Sequence, residues 1–183
     1  MEINETTVLD DRGFIEINGE EAKTFLQNIV TNDIEKITTN FTLFSSILTP
    51  QGKYLYEFFI LKLKDGYLLE CEKDATSEIV KIFNFYKLRS KVNLIDLTEK
   101  YKCAAISLEK FKELSKNQYF KSYTITYNEN AIYIDPRNEN LGAKLIAKTE
   151  NINNTITNLS LKKIDKEKYY KKSFNMGIPQ VNL

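Results

Sequence analysis

The chain is 183 residues long and 42% hydrophobic, enough to bury one good core, or two small ones, without covalent staples. Its 26 basic and 25 acidic side chains leave a net charge of +1, which excludes a global field for holding nucleic acid or an anionic membrane. With no histidine, the chain lacks the commonest general base, the common metal ligand and every Ser–His or Cys–His nucleophile pair.

Chemistry would therefore fall to carboxylates, tyrosines or a bound cofactor. Cys71 and Cys103 stand far apart and outside any C-x-x-C, which argues against a zinc site or a disulfide framework and fits a reducing cytoplasm. The start Met1-Glu2-Ile3-Asn4-Glu5 lacks the basic and apolar regions of a signal peptide, and no apolar run reaches membrane-spanning length. A soluble cytoplasmic protein without a membrane contact or a metal is expected, and nucleic acid is not an expected partner. Arginine is confined to Arg12, Arg89 and Arg137 against a background of lysine.

Residues 7–18 read as extended, with a turn at Asp11-Arg12-Gly13. Ala22, Phe25, Leu26 and Ile29 recur at i, i+3, i+4 and i+7, which predicts a helix over about 20–31 packed on a sheet. The stretches 41–48, 53–64 and 67–73 are rich in β-formers. Separated by the turn Pro50-Gln51-Gly52 and the hairpin signal Asp65-Gly66, they predict an antiparallel meander. A second amphipathic helix is expected over about 75–88, with Ile79, Ile82, Phe83 and Tyr86 on one face and Asp74 or Thr76 as its cap.

Strands near 91–97 and 101–107, a short helix from Leu108 to Lys116, and strands near 119–127, 131–135 and 143–148 follow. Two lysine-rich helical stretches then close the chain, and Glu150-Asn151-Ile152-Asn153-Asn154 is the nearest thing to a linker. The order is α+β, antiparallel sheets with packed helices, without the βαβ alternation of a parallel sheet. A seam near 98–101 divides it into lobes of 1–97 and 98–183.

Several short motifs admit both a structural and a functional explanation. Thr31-Asn32-Asp33 sits where the first helix must stop, so its short polar side chains suit a cap or the next turn. Thr49-Pro50-Gln51-Gly52-Lys53 is by itself a turn between strands. Strand alternation places Tyr56 and Glu57 on opposite faces, and Glu57 is the one carboxylate suited to act as a base there. Arg137 suits a bidentate carboxylate, whether from a ligand or from Asp135. Lys162, Lys163, Lys166, Lys168, Lys171 and Lys172, offset by Asp165 and Glu167, form the strongest charge cluster, which by default is a solvated helix face.

Taken together these segments carry a family resemblance. Phe25-Leu26-Gln27 with Val30-Thr31-Asn32-Asp33, Thr49-Pro50-Gln51-Gly52-Lys53, Tyr86-Lys87-Leu88-Arg89, Asp135-Pro136-Arg137 with Leu141-Gly142, and Tyr169, Phe174, Gly177-Ile178-Pro179 match successive motifs of one family. The chain resembles the YgfZ branch of the folate-binding aminomethyltransferase (glycine cleavage T-protein) family.

The resemblance implies ferredoxin-like lobes around a folate cavity, with tetrahydrofolate or a derivative as ligand. It also implies a role as an accessory factor for assembly or repair of iron–sulfur proteins, which would be its clients. The folate contacts it implies are Asn32, Phe44, Tyr56, Glu72, Arg137 and Asn175, with Glu57 as the one candidate catalytic residue.

There are departures. The family's acidic pair is Tyr56 and Glu57 here, and Asn175 stands in place of the glutamate that binds the pterin. The branch motif K-G-C-Y-x-G-Q-E is absent, so a C-terminal truncation relative to the family is expected. Two rival functions remain: a true aminomethyltransferase of glycine cleavage, and a protein- or RNA-contacting module without a small ligand.

Overall fold

A computed structural model describes residues 1–178, so Pro179 of the last motif lies outside the described residues. In chain order the elements are β1 (Glu5–Leu9), β2 (Arg12–Asn18), α1 (Ala22–Ile29), β3 (Leu43–Leu48), β4 (Tyr54–Leu63), β5 (Gly66–Glu72), α2 (Thr76–Lys87) and β6 (Asn93–Asp96). They continue with β7 (Tyr101–Ile106), α3 (Leu108–Leu114), β8 (Thr124–Tyr127), β9 (Asn130–Ile134), β10 (Ala143–Lys148), α4 (Ile152–Asn158), β11 (Lys162–Lys163) and α5 (Lys166–Asn175). The protein is α+β, with one sheet in each of two compact units. One unit is Asp11–Tyr101; the other joins Met1–Asp10 to the chain from Lys102 onward. The first ten residues group with the C-terminal half because β1 pairs with β7 and β11, whereas reading along the chain had placed them in the first lobe.

In the Asp11–Tyr101 unit the five strands are ordered β3-β4-β5-β2-β6. Without β3, the run β2-α1-β4-β5-α2-β6 is a ferredoxin-like split βαβ arrangement, and β3 adds an edge strand beside β4. The predicted meander is β3-β4-β5, each pair antiparallel. Its tight turn depends on Gly66, whose φ is +156°; a Cβ there would meet the Ile17 carbonyl oxygen at 2.4 Å.

Alternation gives this sheet a helix-packed face of Ile15, Ile17, Leu43, Phe58, Ile60 and Leu69, all buried. The predicted stripes of both helices meet it: Phe25 and Leu26 from α1, Ile79 and Phe83 from α2. Phe83 stands edge-on to Phe25 at 5.8 Å and to Phe58 at 5.9 Å. The expected cap of α2 is not formed. A 3-10 turn, Lys73–Ala75, runs directly into the helix, and the Thr76 hydroxyl donates back to the Glu72 carbonyl instead. The helix thus inherits its first turn from the chain before it.

The other unit has a six-stranded sheet ordered β11-β1-β7-β10-β9-β8, with β1 and β11 parallel. One face packs Ala104, Ile106, Ile132 and Leu145 against Phe111 of α3 and Ile152 and Ile156 of α4. The Asn-rich stretch expected as a linker is therefore the start of α4. Ile152, Ile156 and Leu159, at i, i+4 and i+7, provide a core stripe that outweighs the poor helix propensity of its asparagines. Of the two closing helices only α5 is rich in lysine, and a two-residue strand separates them.

Two outcomes test this packing. Phe83→Ala removes a fully buried ring in edge contact with two others and is expected to cost about 3–5 kcal/mol in chemical denaturation; a loss below about 1 kcal/mol would contradict the packing described. Burial pushes the Cys71 thiol from an ordinary 9.0 up to about 11. The folded state thus holds this proton more tightly than the unfolded chain does. Its contribution is full below pH 9 and is lost as pH rises toward 11, so stability should fall through that window, and Cys71→Ala should flatten the fall.

Candidate functional site

The second face of the five-stranded sheet is where polar chemistry gathers. Register sets it: Phe59 lies opposite both Phe44 and Glu70, Arg12 lies opposite Glu72, and Glu57 is two residues from Phe59 on the same face. The rings of Phe44 and Phe59 are 5.3 Å apart, and the Arg12 guanidinium lies 5.9 Å from the centre of Phe59.

Arg12 Nε donates to Glu70 Oε1 at 2.8 Å, and another arm of the guanidinium donates to Glu72 Oε1. Glu70 is wholly buried and Arg12 is 7% exposed. Burying these charges is tolerable because they are paired, and removal of the guanidinium is the kind of change that costs about 3–5 kcal/mol.

Tyr54, at the start of β4, comes to this face because the β3–β4 register shifts between Ile47 and Leu48, which sets Tyr54 opposite Leu48. Its hydroxyl is pushed up to about 12, by burial first and then by the charges of Glu57 and Glu72. At neutral pH it is a hydrogen-bond donor and not a base. The face thus offers an aromatic wall, two carboxylates that can accept N–H donors, and a phenol that can donate.

The predicted residues fall in different places. Phe44, Glu57 and Glu72 share this face. Tyr56 does not: it lies opposite Ile47 and packs into the helix-side core. Asn32 follows α1 and is exposed, with its polar atoms turned to the backbone. Nδ2 donates to the Phe44 carbonyl at 3.0 Å, and Oδ1 accepts from Asp33 N at 2.9 Å.

Asp33 caps the 3-10 turn Ile34–Lys36 by accepting from Glu35 N at 3.1 Å. Arg137 and Asn175 belong to the other unit. Arg137 makes a bidentate pair with buried Asp135, at 3.1 and 2.8 Å, the intramolecular one of its two expected roles. Asn175 is the last residue of α5 and is exposed.

Arg12 and Glu70 were missed by reasoning from the sequence. A signal existed for Glu70, which interrupts the apolar run Tyr67-Leu68-Leu69-Glu70-Cys71 on a strand buried on both faces.

The hydrogen bonds around Asn32 make a prediction. Asn32→Ala frees the Phe44 carbonyl and the Asp33 amide and should lower stability by about 0.5–1.5 kcal/mol. Asp33→Ala should cost about 0.5–2 kcal/mol through the lost cap. Thermal melts on the two variants check this. An unchanged melting point for Asn32→Ala would mean that its side chain is released for a ligand.

No family model matches the chain. An uncharacterized protein of Aquifex aeolicus is 36% identical over 103 residues, covering 55% of this chain and 66% of its own length. The mitochondrial iron–sulfur cluster assembly factor IBA57 homolog of Dictyostelium discoideum is 21% identical over 164 residues, covering 75% of this chain and 40% of that protein. The Neurospora crassa homolog of that factor is 32% identical over 95 residues, 48% of this chain and 22% of its own.

The chain thus spans less than half the length of these assembly-factor relatives. Among solved structures, the glycine cleavage system aminomethyltransferase T of Bartonella henselae superposes with a TM-score of 0.79 at 10% identity, covering 96% of this chain and 52% of that one. A chain of the heterotetrameric sarcosine oxidase of Corynebacterium sp. U-96 gives 0.54 at 8% identity, over 90% of both. The chain is similar in sequence to iron–sulfur cluster assembly factors, and its fold is that of aminomethyltransferase T.

Proposed function

We propose that the protein is a tetrahydrofolate-binding accessory factor in the assembly or repair of iron–sulfur proteins, working in a reducing compartment on iron–sulfur clients. The observation that carries this is the joint likeness: assembly factors in sequence, aminomethyltransferase T in fold. The polar face of the five-stranded sheet supports it, because its chemistry suits a reduced pterin.

Phe44 would lie against the ring, Glu57 and Glu72 would accept its N–H donors, and Tyr54 would donate to an acceptor on its edge. Bound tetrahydrofolate would supply a reduced pterin able to carry one carbon. Glu57 would hold or accept a proton at a ring nitrogen.

Aminomethyl transfer is the rival reading, and the likeness to aminomethyltransferase T favours it. It would place the whole of the acid–base work on Glu57, since Tyr56 fills the other acidic position and packs into the core. A protein- or RNA-contacting role without a folate is the remaining rival.

Calorimetry with tetrahydrofolate tests the proposal. Saturable binding with a dissociation constant on the order of 0.1 mM is expected. Phe44→Ala should weaken it about tenfold, the scale of a lost aromatic contact. An absence of saturation up to about 10 mM would overturn the folate reading and leave the interaction module. Formation of methylene-tetrahydrofolate from an aminomethyl-lipoyl donor, abolished in Glu57→Gln, would replace the accessory role with catalysis.

A further inference from the structure

We propose that the concavity between α4 and the β11–β1–β7 edge of the six-stranded sheet binds a small organic phosphate, a phosphomonoester attached to an apolar or ring-bearing body. The cavity has a volume of about 410 Å³ and lies within the unit made of residues 1–10 and 102 onward. That size is in the range of small-molecule sites. None of its lining residues is on the sheet face discussed above, so the inference stands independently of the folate reading.

Charge specifies the ligand. Lys102 from β7, Lys163 from β11 and Lys166 from the start of α5 line the cavity. The Lys163 ammonium donates to a neutral acceptor, Asn153 Oδ1, at 2.7 Å. Lys166 pairs with Asp10 at 2.6 Å, and the same carboxylate is the one that feels the charge of Lys102. The hydrogen bond from Lys166 is the main reason that the Asp10 carboxyl is held below its usual range.

Asp165, next to Lys166 in the chain, turns to the start of α5 and accepts from Glu167 N at 2.9 Å. Lys102, Lys163 and Lys166 thus bring positive charge to the wall of a concave site, Lys166 with Asp10 as a partner, and a phosphomonoester of charge about −1.5 to −2 is the class of ligand that suits them. Lysine serves phosphate as a point charge, without the planar geometry that carboxylate clamps favour.

Apolar atoms specify the rest. Val8, Ile152 and Ile164 line the same cavity and offer a surface for a ring or alkyl body. A bare inorganic anion would leave that surface wet. Polymeric nucleic acid is not the occupant favoured here, because the site is a single open concavity on a chain of net charge +1 and not a basic stripe.

The test is a titration with adenosine monophosphate and with inorganic phosphate, followed by amide chemical shifts, on the wild type and on Lys102→Gln/Lys163→Gln. Saturable shifts centred on Val8, Asn153 and Ile164 are expected, with the nucleotide binding more tightly than phosphate. The double variant should weaken nucleotide binding at least about tenfold. Lys102→Arg/Lys163→Arg, which keeps the charge, should retain it. Lys36→Gln/Lys64→Gln, which removes two exposed lysines of the other unit, should change it less than about twofold. Melting curves establish that each variant is folded. An absence of saturable shifts up to about 10 mM nucleotide, or equal weakening in both Gln pairs, would overturn the proposal.

Discussion

The Arg12 guanidinium, shared between Glu70 and Glu72, is the interaction on which the first unit's geometry turns. Two carboxylates and one guanidinium on a buried sheet face are tolerated only while they meet, since an uncompensated buried charge costs several kcal/mol. They meet because β2 and β5 pair with Arg12 opposite Glu72 and Phe14 opposite Glu70. A slip of one residue would send the charges into the helix-side core and Ile15 and Leu69 out of it. The ionic cluster and the apolar core therefore enforce the same register from opposite sides of one sheet.

That register also separates scaffold from candidate chemistry. Tyr56 and Glu57 are adjacent in sequence, yet one helps close the hydrophobic core and the other shares a face with Phe44, Glu72 and the aromatic wall. The β3–β4 pair reaches this face from an edge of the sheet, with the Asn32 side chain tied to the backbone of Phe44. The aromatic wall is thus held by backbone pairing and by a polar link from the end of α1. Such a site is preorganised by strands and less dependent on loops.

Much of the fold was legible because its elements carry strong periodic signals. The stripes Ala22-Phe25-Leu26 and Ile79-Phe83, and the Asp65-Gly66 hairpin, each translate directly into the observed α1, α2 and β4–β5 turn. Local polarity misled where tertiary burial decided the outcome. The asparagines of 151–154 look like a linker, but Ile152, Ile156 and Leu159 find a sheet to pack on. The cap of α2 failed for a different reason, since a preceding 3-10 turn already supplies the helix with its start.

The site was legible in part. Alternation separated Glu57 from Tyr56, but Phe44, Glu57 and Glu72 come to one face through the register of β3, β4 and β5, and the pairing of Arg12 with Glu70, 58 residues apart, depends on a strand crossover that alternation does not specify. The membership of residues 1–10 was hidden for the same reason, because β1 finds its partners at β7 and β11. Among the described residues no helix is long and apolar enough to cross a membrane.

The central claim is that the polar face of the five-stranded sheet receives a reduced folate. Mapping amide chemical shifts during titration with tetrahydrofolate tests it most directly. The account predicts the largest shifts at Phe44, Tyr54, Glu57 and Glu72, with little change at Ile79 and Phe83 behind the sheet. Shifts that bypass this face altogether, or a titration that moves no resonance, would contradict it.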